Sequence, residues 1–304
     1  MKKIVLAVLF TFALSSVAFA SPLTDYSKGK AALDINYRVS PDYNVDSKFG
    51  DFNLKEEAKN IGLPTNFDGD SNVEWGFTYG IGNNWALQYR QATPKGQLKL
   101  IDHTGTNYEI PDYQMVSRIS ANETSTPIQS ILDELPLSSA NVNIESKTRV
   151  EEYNVMYKMD KNFSLFTGIV RATPSAKVNA GAEAYWGDAY SGNVGFQGHD
   201  KNIWQFGFVA VKPLNKDLTS YGIASLGSDY RNWEIGLGYK IAKDLEFNVN
   251  YRDMKIDDMK VANVSFTEGS YGMAKQANHT QKQSYDLKND TTIKGWGFGI
   301  TYIF

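Results

Sequence analysis

The side chains that could do chemistry in this chain recur at one parity inside alternating apolar runs. Asp34, Arg38, Glu74, Arg90, Glu152, Lys158, Glu234, Lys240, Glu246 and Arg252 each stand next to a bulky apolar or aromatic residue of the opposite parity, such as Leu33, Trp75, Tyr89, Tyr153, Trp233 or Tyr251. On extended backbone such neighbours point to opposite faces, so the charges share the face the apolar groups leave. Arg38, Glu74, Arg90, Glu152, Glu234 and Arg252 balance in sign, and so do Asp34, Lys158, Lys240 and Glu246. Charges held away from water must pair or be neutralised. The expected chemistry is a salt-bridged, side-chain-filled interior, with an ion-selecting constriction as the alternative.

Other reactive patterns are sparse. There is no cysteine, which removes disulfides, thiolate metal sites and thiol nucleophiles. His103, His199 and His279 are too far apart in sequence to form a helical metal pair. Asp68-Gly69-Asp70 and Asp257-Asp258 offer hard oxygen ligands that suit Ca²⁺, although acidic surface stretches are ordinarily just solvated. No G-x-S-x-G elbow occurs. Gly236-Leu237-Gly238 and Gly295-Trp296-Gly297 lack the third glycine and following helix of a dinucleotide loop. No cofactor, metal or catalytic constellation is expected, and the chain reads as a non-enzyme.

The elements that must position these residues are short strands. Ten runs of period two lie at Lys30–Val39, Ser71–Ile81, Trp85–Ala92, Arg149–Met159, Phe163–Ala172, Asn202–Lys212, Leu218–Leu226, Tyr230–Ile241, Leu245–Met254 and Thr291–Phe304. Their lengths suit tilted strands that cross a bilayer. Asn/Asp/Gly turns at 82–84, 160–162, 215–217 and 242–244 alternate with long polar stretches at 40–70, 93–148, 173–201 and 255–290, expected as outer loops. Two loop helices are expected, over 53–61 and 126–135, as packing elements or a plug.

The last run is the most regular. Trp296, Phe298, Ile300, Tyr302 and Phe304 alternate with Gly295, Gly297, Gly299, Thr301 and Ile303. A soluble edge strand this aromatic would aggregate, whereas lipid requires such a face. The stretch resembles the C-terminal assembly signal of Gram-negative outer-membrane β-barrel proteins, of the porin-like or surface-antigen type. The resemblance implies outer-membrane lipid, periplasmic chaperones and the barrel-assembly machinery as partners. Omptin proteases, barrels of that class, carry an Asp-x-His pair at the rim; here Asp68-x-Asp70 occurs and no Asp-x-His does.

The chain opens on Met1-Lys2-Lys3, an apolar run from Ile4 to Leu14, and Ala18-Phe19-Ala20 before Ser21. Residues 1–20 are expected to be a cleaved signal peptide and 21–304 a single domain. Of 31 basic residues, Lys2 and Lys3 fall in the signal, so 29 basic face 34 acidic side chains, a net charge of about −5. That balance argues against nucleic acid as a partner.

The expected fold is therefore all-β: a ten-stranded antiparallel transmembrane β-barrel with long extracellular loops and short periplasmic turns. The expected function is a non-enzymatic surface or structural protein whose loops bind something outside. A narrow porin-like channel for ions or small solutes is the alternative, and a rim-site hydrolase the third reading.

Overall fold

The computed structural model describes residues 22–50, 52–60, 63–104, 137–184, 189–267 and 282–304. Its strands are β1 (Ala31–Arg38), β2 (Asp42–Phe49), β3 (Phe52–Asn53), β4 (Asp68–Asp70), β5 (Asn72–Gly82), β6 (Trp85–Ala92), β7 (Lys95–Thr104), β8 (Leu137–Lys158), β9 (Phe163–Ala184), β10 (Ala189–Gln197), β11 (Lys201–Pro213), β12 (Leu218–Gly227), β13 (Tyr230–Ala242), β14 (Leu245–Thr267) and β15 (Lys282–Ile303). One helix, α1 (Leu54–Asn60), interrupts them.

These elements correct the expectation of a ten-stranded barrel. The described residues form one sheet of fifteen strands. Antiparallel ladders run from β5 through β6, β8, β9, β11, β12, β13, β14 and β15 to β1. Between β1 and β5 the ladder shrinks to the rung Ala31↔Tyr79. Side chains bridge that seam higher up, where Asn36 Nδ2 and Arg38 Nη2 donate to Glu74 Oε2 at 3.2 and 3.1 Å. β2, β3, β4, β7 and β10 are the strands that the sequence pattern had placed in loops.

The extra strands exist because β8, β9, β14 and β15 run for 22 or 23 residues, well beyond what a bilayer needs. Along β8, Asn154 and Glu152 are buried on the inner face while Tyr153 and Val155 are exposed on the outer one. Four residues higher the parity continues but the chemistry inverts: Val150 is buried, and Arg149, Lys147 and Glu145 are exposed. β14 does the same, from buried Asn248, Asn250 and Arg252 to buried Met254 and Ile256. The sheet thus has a lower tier, polar inside and apolar outside, and an upper tier with an apolar inside.

Aromatic side chains mark the limits of the lower tier. Trp75–Tyr89, Tyr89–Tyr153, Trp233–Tyr251 and Tyr251–Trp296 lie 5.0, 5.0, 5.6 and 5.3 Å apart near its top. Trp85–Tyr157, Phe163–Phe208 and Tyr302–Phe304 lie 4.7, 5.6 and 4.8 Å apart near its bottom. Of the final alternating set, Trp296, Phe298, Tyr302 and Phe304 are exposed and Ile300 is half-buried. β15 has ladder partners on both sides, so this aromatic strand is not an edge.

The lower turns close by local chemistry. Asn83 and Asn84 both adopt positive φ, 54° and 69°, as a tight hairpin twisting with its strands requires. Asp160 Oδ1 accepts from the Asn162 and Phe163 amides, and Asn215 Oδ1 from those of Asp217 and Leu218. α1 is capped as its sequence suggests: Asn53 Oδ1 accepts from the Lys55 and Glu56 amides at 3.0 and 3.3 Å. The helix expected over 126–135 lies outside the described residues.

The segment before β1 packs inside the lower end of the sheet. Leu23 and Tyr26 are buried with Ala86, Met156, Phe166, Val209, Val211, Tyr221 and Ile223. Gly80 makes this possible, because a Cβ there would sit 2.4 Å from the Ser27 carbonyl oxygen. Gly80→Val is expected to displace residues 22–30 while leaving the sheet folded. Limited trypsin digestion of the folded variant then cleaves after Lys28 or Lys30, and the parent chain resists there.

Candidate functional site

The inner face is stacked in three layers, and the functional question is which one leaves room for another molecule. In the middle layer Arg38, Glu74, Arg252, Glu234, Arg90 and Glu152 form one alternating chain of charge. Glu74 Oε2 receives Arg38 Nη2 at 3.1 Å and Arg252 Nη1 at 3.0 Å. Glu234 Oε2 receives Arg252 Nη2 at 2.7 Å and Arg90 Nη2 at 3.3 Å, and Arg90 Nη1 lies 4.0 Å from Glu152 Oε2. Neutral groups complete it: Arg38 Nη1 donates to Asn250 Oδ1 and the Gly295 carbonyl, Tyr221 to Glu234, and Tyr230 to Glu152. All six charged residues are buried.

Placement differs for the other four charges singled out by parity. Asp34 is buried and accepts from the Thr301 hydroxyl at 2.5 Å. Lys158 Nζ donates to the Thr24 carbonyl at 2.6 Å, holding the N-terminal segment. Lys240 is exposed, in register with half-buried Glu246. These four do not form a second charged layer. The space that layer would occupy is filled by Leu23, Tyr26 and their apolar neighbours, an outcome parity could not reveal because the segment is not a strand.

Within the charged layer, the cavity bordered by Glu74, Arg90, Glu152, Arg252 and Met254 is about 10 Å³. That is the room of roughly one water. Directly above lies an apolar floor of Tyr43, Val45, Val150, Val170, Ile203, Tyr230, Met254, Ile256, Met259 and Ile293. Tyr43 is fully buried, with its hydroxyl 3.1 Å from Ser146 Oγ and 3.3 Å from Thr148 Oγ1. Burial pushes its phenol above the usual range. Gly96 admits the Tyr43 ring, since a Cβ at 96 would meet Cδ1 at 2.5 Å.

Over this floor a cavity of about 270 Å³ opens inside the upper tier. Its wall comprises Leu98 and Leu100 from β7, Ile144 from β8, Ala176 and Val178 from β9, Phe196 from β10, Val261 from β14 and Leu287 from β15. Leu54 and Ala58 of α1, with Leu63, Pro64 and Phe67, cover one side. Its polar borders are largely spoken for: Ser47 donates to Asn289, and Lys55 Nζ binds Asp46 and Asn44 at 2.8 and 3.2 Å. The sequence reading missed this site because its residues come from stretches taken for loops. The signal was present in Leu98, Leu100, Ile144 and Val178, each beside a charged residue of the opposite parity.

The acidic clusters resolve into ion pairs. Asp70 binds Lys95 at 3.0 Å, Asp257 binds Lys255 at 2.6 Å, and Asp258 binds Lys288 at 2.8 Å. No group of three or more His, Cys, Asp or Glu is placed to hold a metal among the described residues. The His199 amide donates to the Lys260 carbonyl, His103 lies in β7, and His279 lies outside the described residues.

No family model and no curated protein matches the sequence. Solved structures of Gram-negative outer-membrane proteins do resemble it at low identity. The protease OmpT of Escherichia coli aligns at 10% identity and TM-score 0.46 over 91% of this chain and 97% of its own. The attachment invasion locus protein Ail of Yersinia pestis aligns at 12% and 0.31 over 91% and 99%. The toluene transporter TodX of Pseudomonas putida aligns at 11% and 0.34 over 94% and 92%. These likenesses carry no residue and no activity over to this chain.

Removing one member of the charge chain strands its partners in a dry interior. Arg252→Ala, which leaves Glu74 and Glu234 each short of a cation, is expected to cost about 3–5 kcal/mol. Urea unfolding of the refolded protein in lipid vesicles measures it. In planar bilayers the parent protein is expected to give no discrete ohmic steps, because the six charged side chains are buried and linked to one another across the interior.

Proposed function

We propose that this is an integral outer-membrane protein that captures and holds a small apolar solute at its outer end. The carrying observation is the cavity of about 270 Å³, walled mainly by Leu, Ile, Val, Ala and Phe and set in the upper tier of the sheet. An apolar cavity of ~150 Å³ stays dry and takes a molecule the size of benzene. The larger cavity here suits a bicyclic or short-chain hydrocarbon-like molecule, on the order of ten to fifteen non-hydrogen atoms. The driving force is transfer of apolar surface out of water, about 25 cal/mol per Å². Most polar groups at its border already have partners, so a charged solute would gain little there to offset its desolvation.

Membrane placement rests on the lower tier. Its exposed face is Trp75, Phe77 and Tyr79 on β5, Trp204, Phe206 and Phe208 on β11, and Ile235, Leu237 and Tyr239 on β13. Water would not tolerate that much contiguous apolar surface, and a bilayer flanked by two aromatic levels is its natural solvent. In this reading residues 1–20 are removed on export, the final aromatic strand directs assembly, and the short turns face the periplasm. The protein binds its solute without altering it.

The test uses the full secreted chain refolded into lipid nanodiscs and titrated, against protein-free nanodiscs, with 1-aminonaphthalene, a bicyclic probe within that size range whose fluorescence changes in apolar surroundings. The expected result is saturable one-to-one binding that Ala176→Trp, which fills the cavity, weakens at least tenfold while fold and heat-modifiability persist. Equal binding by that variant removes the proposal.

A further inference from the structure

A second concavity, of about 490 Å³, lies on the outer face of the sheet and is polar where the first is apolar. It is built from three consecutive outward-facing rungs between β8 and β9: Glu151↔Arg171, Arg149↔Thr173 and Lys147↔Ser175. Gln197, in register with Ser175, and Asp200 close its far side. Each rung carries a cation, and each of the two guanidiniums is paired with a carboxylate. Arg149 Nη2 donates to nearly buried Glu151 at 2.6 Å, and Arg171 pairs with Asp200, which the Thr173 hydroxyl also binds. Arg149 and Arg171 nevertheless remain about half exposed, at 53% and 46%. Three cations outnumber two anions, and both anions are already paired.

The height of this patch gives it a partner. Glu151 accepts from the Tyr89 hydroxyl at 3.0 Å, and Tyr89 stacks 5.0 Å from both Trp75 and Tyr153 in the upper aromatic level. Those rings mark the headgroup region. Arg149 and Lys147 stand two and four residues beyond Glu151 along the same face of β8, at the depth where lipid phosphates sit. Guanidinium forks bind phosphate in two-point fashion, and the Lys147 ammonium adds a further cation beside them.

We propose that the Lys147–Arg149–Arg171 concavity binds the phosphate of an outer-leaflet glycolipid, so that the protein carries a lipid on its outer wall beside the solute cavity. This rests on the membrane placement proposed above and is independent of the cavity's contents. The test is native mass spectrometry of the folded full secreted chain in detergent, titrated with a diphosphorylated glucosamine glycolipid and with its dephosphorylated form. The phosphorylated lipid is expected to be retained at least tenfold better, and Lys147→Ala/Arg149→Ala to abolish that preference with heat-modifiability unchanged. Equal retention of the two lipids, equal retention by the double variant, or displacement by millimolar inorganic phosphate would overturn the proposal. A chain that stays folded and soluble without detergent would instead overturn the membrane placement, and it is recognised before any lipid is added.

Discussion

On the membrane placement proposed above, the arrangement of this sheet follows from the solvent its outer face meets. Strand geometry sends alternate side chains to opposite faces whatever surrounds them. Against lipid, the outer residues must be apolar, and the inner ones are free to be polar provided they satisfy one another. Against water, the outer residues carry charge and the inner ones supply an apolar core. On β8 and β14 both rules operate along one unbroken strand, and the change falls beside the upper aromatic level. The charged layer and the apolar floor meet at that change, where Glu152 and Arg252 lie within two residues of Val150 and Met254.

The charged layer does structural work at the seam between β1 and β5. β1 and β5 share a single ladder rung, so the Arg38 and Asn36 bonds to Glu74 hold the upper part of that seam. Desolvating six charges costs free energy, and only an unbroken alternation of sign with neutral donors around it offsets that cost. The same arrangement leaves an apolar solute no favourable path downward. The cavity above is therefore a place of residence rather than a wide pore, and the polar patch outside it lies against a different solvent altogether.

Much of this was legible in the sequence. Parity put the six residues of the charged layer on one face and the exposed aromatics on the other, because a period of two survives any error in strand ends. The cap at Asn53 located α1. Strand number was not legible. The upper tier uses the same period with inverted polarity, so Glu145-Ser146-Lys147-Thr148 looks like solvated loop although Ser146 and Thr148 are buried beneath Tyr43. The lower interior escaped for the opposite reason: Leu23 and Tyr26 belong to a segment with no periodicity, and only the space left by Ala32 and Ala86 reveals where they go. Lys240 shows the limit of parity itself, since a correct face near the end of a strand is still an exposed position.

The central claim is that a small apolar molecule resides between α1 and the upper sheet. Crystals of the secreted chain pressurised with xenon and measured for anomalous scattering test it directly. A strong peak enclosed by Leu98, Ile144, Val178 and Val261 is the result predicted. An empty cavity in crystals where xenon occupies other sites would contradict it.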